Sequence, residues 1–231
     1  MTKHIPLNPY PNSMNDSTKR WLWTVLAALL VSGCSPSDQF RKKPDVGEKV
    51  TTLDDAIKKI ATVRNVDLCD HSLRGFPEPL LAATNLERLS LRKNAISAVP
   101  EGIATLLKIC WLDLGQTGLT NLPPALGRLP ALTALYLNDN ALVAVPASLG
   151  DLPKLTYLNL DRNKLTSLPP ELGRLASLKW LRLNSNQLTD LPADMSGWTK
   201  NLKRLYLTSN PLPEAEKNRI RKALPACDVF F

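Results

Sequence analysis

The chain has 231 residues, enough for one large domain or two small ones. Its 29 Lys+Arg against 21 Asp+Glu give a net charge of +8, but the basic residues are scattered with no run of five or more, which argues against a nucleic-acid partner. Four cysteines are too few for a disulfide scaffold, and the two histidines, His4 and His71, leave little for acid–base or metal chemistry.

In chain order the first feature is RWLWTVLAALLVSGCSPSDQF, residues 20–40. Lys19 and Arg20 are positive, and Trp21 to Val31 is an apolar core of about a dozen residues, short of the roughly 20 that a spanning helix needs. That pattern reads as a secretory signal. Ser32 and Gly33 precede Cys34, and Val31-Ser32-Gly33-Cys34 resembles the lipobox of bacterial lipoproteins, with Val31 where leucine is usual. The resemblance implies cleavage before Cys34, lipidation of its thiol and acylation of the new amine. An ordinary secretory signal with an incidental cysteine is the alternative. More than one acyl chain or signal is needed for stable attachment, and a triacylated cysteine meets that need. Ser35 stands where such lipoproteins often carry the aspartate that retains them at the inner membrane, so the resemblance implies the outer membrane. Met14 is an alternative start. The expected organisation is a signal peptide over 1–33, a lipidated cysteine with a flexible Pro- and Gly-containing tether over 34–50, and a folded domain over 51–231.

The folded domain is repetitive. LERLSLRKNAISAVP begins at Leu86, ICWLDLGQTGLTNLP at Ile109, LTALYLNDNALVAVP at Leu132, LTYLNLDRNKLTSLP at Leu155 and LKWLRLNSNQLTDLP at Leu178, each 23 residues after the last. Leu202 opens a further copy after a one-residue insertion, and Val63 opens a degenerate one, making seven units. The pattern L-x-x-L-x-L-x-x-N-x-L-x-x-L-P resembles the leucine-rich repeat family. The resemblance implies an α/β solenoid, a horseshoe with a parallel sheet on its concave side and short helical or 3₁₀ turns on its convex side.

The residue chemistry agrees. Apolar residues recur at positions 1, 4, 6, 11, 14, 18 and 21 of each unit, and only stacked units can bury them. Asn94, Asn140, Asn163, Asn186 and Asn210 share position 9, where an amide can both donate to and accept from neighbouring backbone. His71 and Thr117 take that column in two units, so His71 reads as structural. Prolines 77, 100, 123, 146, 169 and 192 close the turns with a fixed φ. Leu53 to Ala61, with Leu53, Ala56, Ile57 and Ile60 on one face, reads as a helical N-terminal cap. PEAEKNRIRKALP reads as a C-terminal cap helix with acids first and bases last, followed by a short strand in CDVFF.

No nucleophile elbow, phosphate loop, HExxH or CxxC motif is present, so no catalytic residue, metal or cofactor is expected. Asp67, Asp70, Asp113, Asp139 and Asp161 line the strand face and read as solvated. Cys69, Cys110 and Cys227 fall too far apart in the repeat for pairing and are expected as free thiols.

The strand positions that point away from the leucine core carry the candidate site. Positions 3 and 5 hold Trp111, Tyr136, Tyr157, Trp180 and Tyr206, bordered by Arg88, Arg182 and Arg204. Clustered exposed aromatics mark contact surfaces. The leading expectation is a non-enzymatic, monomeric interaction module, held to the membrane only by its lipid, that binds a protein through one continuous aromatic patch. A glycan or envelope-polymer binder using the aromatics with Arg88, Arg162, Arg182 and Arg204 is the alternative; an effector recognising a host protein is a weaker one.

Overall fold

The structure, a computed structural model, describes residues 47–231. The expected signal peptide, Cys34 and most of the expected tether lie outside the described residues. The described residues fall in one compact unit.

Among the described residues nine strands form a single parallel sheet in chain order: β1 (Lys49–Val50), β2 (Asn65–Asp67), β3 (Arg88–Ser90), β4 (Trp111–Asp113), β5 (Ala134–Tyr136), β6 (Tyr157–Asn159), β7 (Trp180–Arg182), β8 (Arg204–Tyr206) and β9 (Asp228–Phe230). The sheet starts before residue 51, the expected domain boundary, because Lys49 and Val50 pair with Asn65 and Val66 and Val50 is buried. Successive repeats pair one period apart, as with Leu112 opposite Leu135 and Leu135 opposite Leu158. The inserted residue appears as a one-residue stretch of the register, Trp180 opposite Arg204.

Alternation along each strand sends positions 4 and 6 inward with position 1. In the unit from Leu155, the side chains of Leu155, Leu158, Leu160, Leu165 and Leu172 are fully buried, and the column continues from unit to unit as one core. At roughly 1.5–3 kcal/mol per buried leucine, this stack supplies the main drive for folding. The position-9 amides tie adjacent turns. Nδ2 of Asn163 donates to the carbonyls of Leu137 and Leu160, each at 3.0 Å, while Oδ1 accepts from the Leu142 N–H at 3.1 Å. Thr117 keeps part of that role through Oγ1, which donates to the Leu114 carbonyl at 2.8 Å. His71 departs from the column: it is exposed, with Nδ1 2.9 Å from the Cys69 carbonyl oxygen.

Each closing proline but Pro192 caps a convex 3₁₀ helix: Glu78–Ala82, Glu101–Thr105, Pro124–Arg128, Ala147–Asp151 and Pro170–Arg174. The proline carbonyl accepts the first bond of that turn, as from Leu149 to Pro146 at 3.1 Å. The unit after Pro192 has no such helix. It holds the inserted residue and Trp198, which is fully buried and donates from Nε1 to the Leu172 carbonyl at 2.9 Å.

Two further columns are structural. Position 8 holds Asp70, Lys93, Gln116, Asp139, Arg162, Ser185 and Ser209, all with φ between 55° and 62°. One left-handed residue after each strand turns the chain toward the convex side, and none of the seven is glycine. Gly127, Gly150 and Gly173 occupy position 19, where adjacent 3₁₀ helices meet so closely that a Cβ on Gly150 would lie 2.3 Å from the Glu171 carbonyl oxygen.

Helices cap both ends. α1 (Leu53–Lys58) starts at Thr52, whose side chain accepts from the Asp55 N–H. It is shorter than expected, and Ile57 is 40 % exposed because only Ala56, Leu53 and Ile60 reach the core. α2 (Glu214–Ala223) buries Ile220 and carries Glu214 and Glu216 in its first turn, Arg221 and Lys222 in its last.

Candidate interaction surface

The strand register brings the aromatic columns together. Position 3 runs Arg88, Trp111, Ala134, Tyr157, Trp180, Arg204, and position 5 runs Ser90, Asp113, Tyr136, Asn159, Arg182, Tyr206. Side chains at 3 and 5 share one face, about 6.6 Å apart along a strand, with neighbouring strands about 4.8 Å away. Rings on adjacent strands therefore meet. Trp111 and Tyr136 have centroids 5.4 Å apart with planes at 50°, and Tyr136 and Tyr157 lie 4.8 Å apart at 33°. Trp180 packs against this group, which is separate from the leucine core.

The expectation of exposed rings needs correction. Trp111, Tyr136 and Tyr157 are all under 10 % exposed, since each ring covers part of its neighbour and Cζ of Arg88 lies 4.3 Å over the Trp111 ring. Trp180 and Tyr206 are half-buried. The expectation of one continuous five-ring patch also changes. Tyr206 stacks on Phe230 of β9, at 4.8 Å and 10°, with Cζ of Arg182 4.7 Å over Tyr206. Phe230 was missed in the sequence, although extending the position-5 column by one strand reaches it.

The arginines expected to meet a partner are engaged within the domain. Nε of Arg182 donates to Asp161 Oδ2 at 2.6 Å. Arg204 Nε lies 4.0 Å from Asp228 Oδ2. Arg162, part of the polymer-binding alternative, holds Asp139 with both Nε and a terminal nitrogen, and Arg92 approaches the same carboxylate at 3.9 Å. The strand-face carboxylates are thus not all solvated as expected. Asp113 and Asp161 are buried, and Asp113 accepts from the Gly115 N–H at 2.9 Å. Burial works to raise the pKa of Asp139, but the Arg162 and Asn138 hydrogen bonds and the charges of Arg162 and Arg92 outweigh it and leave the carboxyl below its ordinary value. The same pair raises the pKa of Arg162.

Among the described residues no group of three or more His, Cys, Asp or Glu gathers as metal ligands. Cys69, Cys110 and Cys227 are free thiols. Burial first, and then the neighbouring Asp228 charge, push Cys227 up to about 11, so it is a poor nucleophile near neutral pH.

The leucine-rich repeat family model matches residues 84–142 and 153–212, just over half of the chain. The chain belongs to the leucine-rich repeat family. Proteins built from these repeats are in general non-catalytic binding scaffolds, typically for proteins. No curated protein sequence matches this leucine-rich repeat protein. Among solved structures, it is similar to a leucine-rich repeat protein of Leptospira interrogans, with 36% identity and a TM-score of 0.73 over 76% of this chain. It spans only 44% of the Leptospira chain. Internalin C2 of Listeria monocytogenes is 26% identical with a TM-score of 0.64, covering 79% of this chain and 75% of its own. The leucine-rich repeat ectodomain of the Arabidopsis thaliana receptor kinase GASSHO1, in complex with Casparian strip integrity factor 2, is 33% identical with a TM-score of 0.54. That match covers 59% of this chain and 17% of the ectodomain.

Proposed function

We propose that this leucine-rich repeat protein is a lipid-anchored, non-catalytic envelope protein whose concave sheet face binds a protein partner. The carrying observation is the ring ladder of Trp111, Tyr136 and Tyr157 with Trp180 against it, standing on the strand face outside the leucine core. Aromatic side chains present large area at small entropic cost, and truncating a central one typically costs about 2 kcal/mol or more in binding. The plant ectodomain, solved in complex with a peptide partner, is a precedent for this use of the fold. The polymer alternative is less favoured, because Arg162 and Arg182 already face carboxylates of their own domain.

The envelope location and lipid anchor rest on Val31-Ser32-Gly33-Cys34. A mature chain beginning at acylated Cys34 is expected by intact mass, and Cys34→Ala is expected unprocessed or soluble. Cleavage elsewhere with no acyl mass refutes the anchor.

Affinity capture from envelope extract tests the binding face. Capture is expected to survive moderate salt and to be lost in Trp180→Ala, whose ring is half-buried and not required by the core. Undiminished capture by Trp180→Ala refutes the site, and capture abolished by moderate salt points instead to an anionic polymer.

A further inference from the structure

All nine strands run parallel, so every strand begins on one flank of the solenoid and ends on the other. The flank where strands begin is unlike the rest of the surface. It is built from positions 22, 23 and 2 of successive units, stacked on one another: the Lys203 N–H donates to the Lys179 carbonyl and the Lys179 N–H to the Thr156 carbonyl, both at 2.8 Å. Ser177 Oγ donates to the Pro153 carbonyl at 2.8 Å, and Asn201 Nδ2 to the Ala176 carbonyl at 2.8 Å. Onto this ladder and the adjoining position 20 fall Lys154, Arg174, Lys179, Lys200 and Lys203, all exposed. None of the five has an ion-pair partner among the described residues. The row continues toward the first units with Lys108 and Arg128.

Acidic residues are sparse there. Glu87 is held by Arg64 at 2.8 Å. The exposed acids beside the five are Asp151, Asp194, whose carboxyl feels the Arg174 charge, and Asp228, whose N–H donates to the Lys203 carbonyl at 2.9 Å. Along the opposite flank, where strands end, the charges nearly balance: Asp70, Asp139, Asp161 and Asp190 stand among Arg74, Arg92, Lys93, Arg162 and Lys164. The charge excess is therefore concentrated on one side of the molecule. Leu107, at position 22 beside Lys108, stands 58 % exposed on that same side.

The chain also enters the sheet there. Gly47 and Glu48 lead directly into β1, whose first residue is Lys49, so the segment running back to Cys34 joins the domain on the flank that carries the cations.

We propose that this flank, centred on Lys154, Lys179 and Lys203, lies against an anionic lipid surface and leaves the concave face open to its partner. This deepens the anchor reading and rests on it for its setting. The residues are mostly lysines, which act as point charges without the fork geometry that selects single phosphates or carboxylates. They are spread in a row over successive units and do not gather around one point, an arrangement suited to an extended charged surface. Each basic residue near such a surface strengthens partition about fivefold at low salt, and the effect fades beyond a Debye length of about 10 Å.

The test uses the compact unit, residues 46–231, which carries its own core and both caps and lacks Cys34, Arg41, Lys42 and Lys43. Co-sedimentation is measured with phosphatidylcholine vesicles with and without about 30 mol % phosphatidylglycerol. Binding is expected to the anionic vesicles alone, with release at about 0.5 M salt. Lys154→Glu/Lys179→Glu/Lys203→Glu is expected to lose at least about a hundredfold in partition, the loss of the three lysines alone, before the added repulsion of the glutamates. Arg74→Glu/Lys93→Glu/Lys164→Glu, an equal charge change on the opposite flank, is expected to retain most of it. Equal losses in the two triple variants overturn the proposal, as does binding to long-chain polyphosphate with none to vesicles. If Cys34 proves unacylated while the domain still sediments in a flank-dependent way, the anchor fails and the surface stands. Acylated Cys34 with a domain that ignores anionic vesicles overturns the surface alone.

Discussion

Nε of Arg182 lies 2.6 Å from Oδ2 of Asp161, a carboxylate only 2 % exposed. The two residues come from adjacent units, so one ion pair staples β6 to β7 on the concave face. Asp161 Oδ1 accepts from the Asn184 N–H at 2.7 Å, and the guanidinium covers Tyr206 of the next unit. Arg182→Met leaves a buried carboxylate without its counter-charge and should cost about 3 kcal/mol. Asp161→Asn, which keeps an acceptor, should cost less. The double variant should cost clearly less than the sum of the two in a denaturant double-mutant cycle. Additive losses would show the pair to be uncoupled.

Asp139 makes the stability of the domain depend on pH in a defined direction. Its folded pKa is lowered, so its contribution is fully present above the unfolded value of about 3.9 and is lost as pH falls through the folded one. Asp139→Asn keeps a residue that tolerates the positive φ of 59° at this position. Because Arg162 is more than half exposed, the loss at neutral pH should be about 0.5–1 kcal/mol. The gap between wild type and variant in urea unfolding should be the same at pH 7 and pH 5 and should close below about pH 4. A gap that widens in acid contradicts the assignment.

Much of the architecture was legible because the core is periodic. Leucines at fixed positions, the Asn94 to Asn210 column and the register step at the inserted residue all follow from spacing in the chain. Trp198 falls at position 21, one of the recurring apolar positions, and is fully buried there. What escaped depends on how one unit meets the next. The burial of Trp111, Tyr136 and Tyr157 arises from contacts across three strands, and a position that points away from the leucine core is not for that reason open to water. The arginines looked available because their carboxylate partners sit about one repeat away. Position 8 carried no signal, since seven different contexts place Asp, Lys, Gln, Arg and Ser in the same left-handed conformation.

That conformation yields a test. Gln116 is exposed with φ of 56°, so its substitutions report backbone strain with little change in packing. Gln116→Gly should be close to neutral, as relief of about 1 kcal/mol in the folded state is offset by a more flexible unfolded chain. Gln116→Val should cost about 1–2 kcal/mol, because a β-branched residue strongly resists positive φ. Equal stabilities for the two variants in thermal unfolding would contradict the strain argument.

The convex side should be the least tolerant of added volume. A Cβ on Gly150 would meet the Glu171 carbonyl oxygen at 2.3 Å and the Glu171 Cβ at 2.7 Å, and backbone cannot swing aside as a side-chain tip can. Gly150→Ala should therefore destabilise by about 2–3 kcal/mol. Gly102→Ala would meet only Leu81 Cδ1, at 2.8 Å, and a rotamer change there should hold the cost near or below about 1 kcal/mol. Reversed order of the two melting temperatures would show that the convex helices separate easily.

The aromatic ladder separates folding from binding along its own length. Tyr136 lies between Trp111 and Tyr157 and is 3 % exposed, so truncation removes two ring contacts and uncovers both neighbours. Tyr136→Ala should cost about 2 kcal/mol of stability as well as any partner affinity. Trp180 stands at the edge of the ladder and remains half-buried, so Trp180→Ala should cost less than about 1 kcal/mol. If the concave face holds a partner, loss of capture in Trp180→Ala at nearly unchanged melting temperature is the informative result, since lost binding in Tyr136→Ala also reflects a weakened domain. A melting temperature that falls as far for Trp180→Ala as for Tyr136→Ala would make the whole ladder a second core and shift the search for the binding face elsewhere.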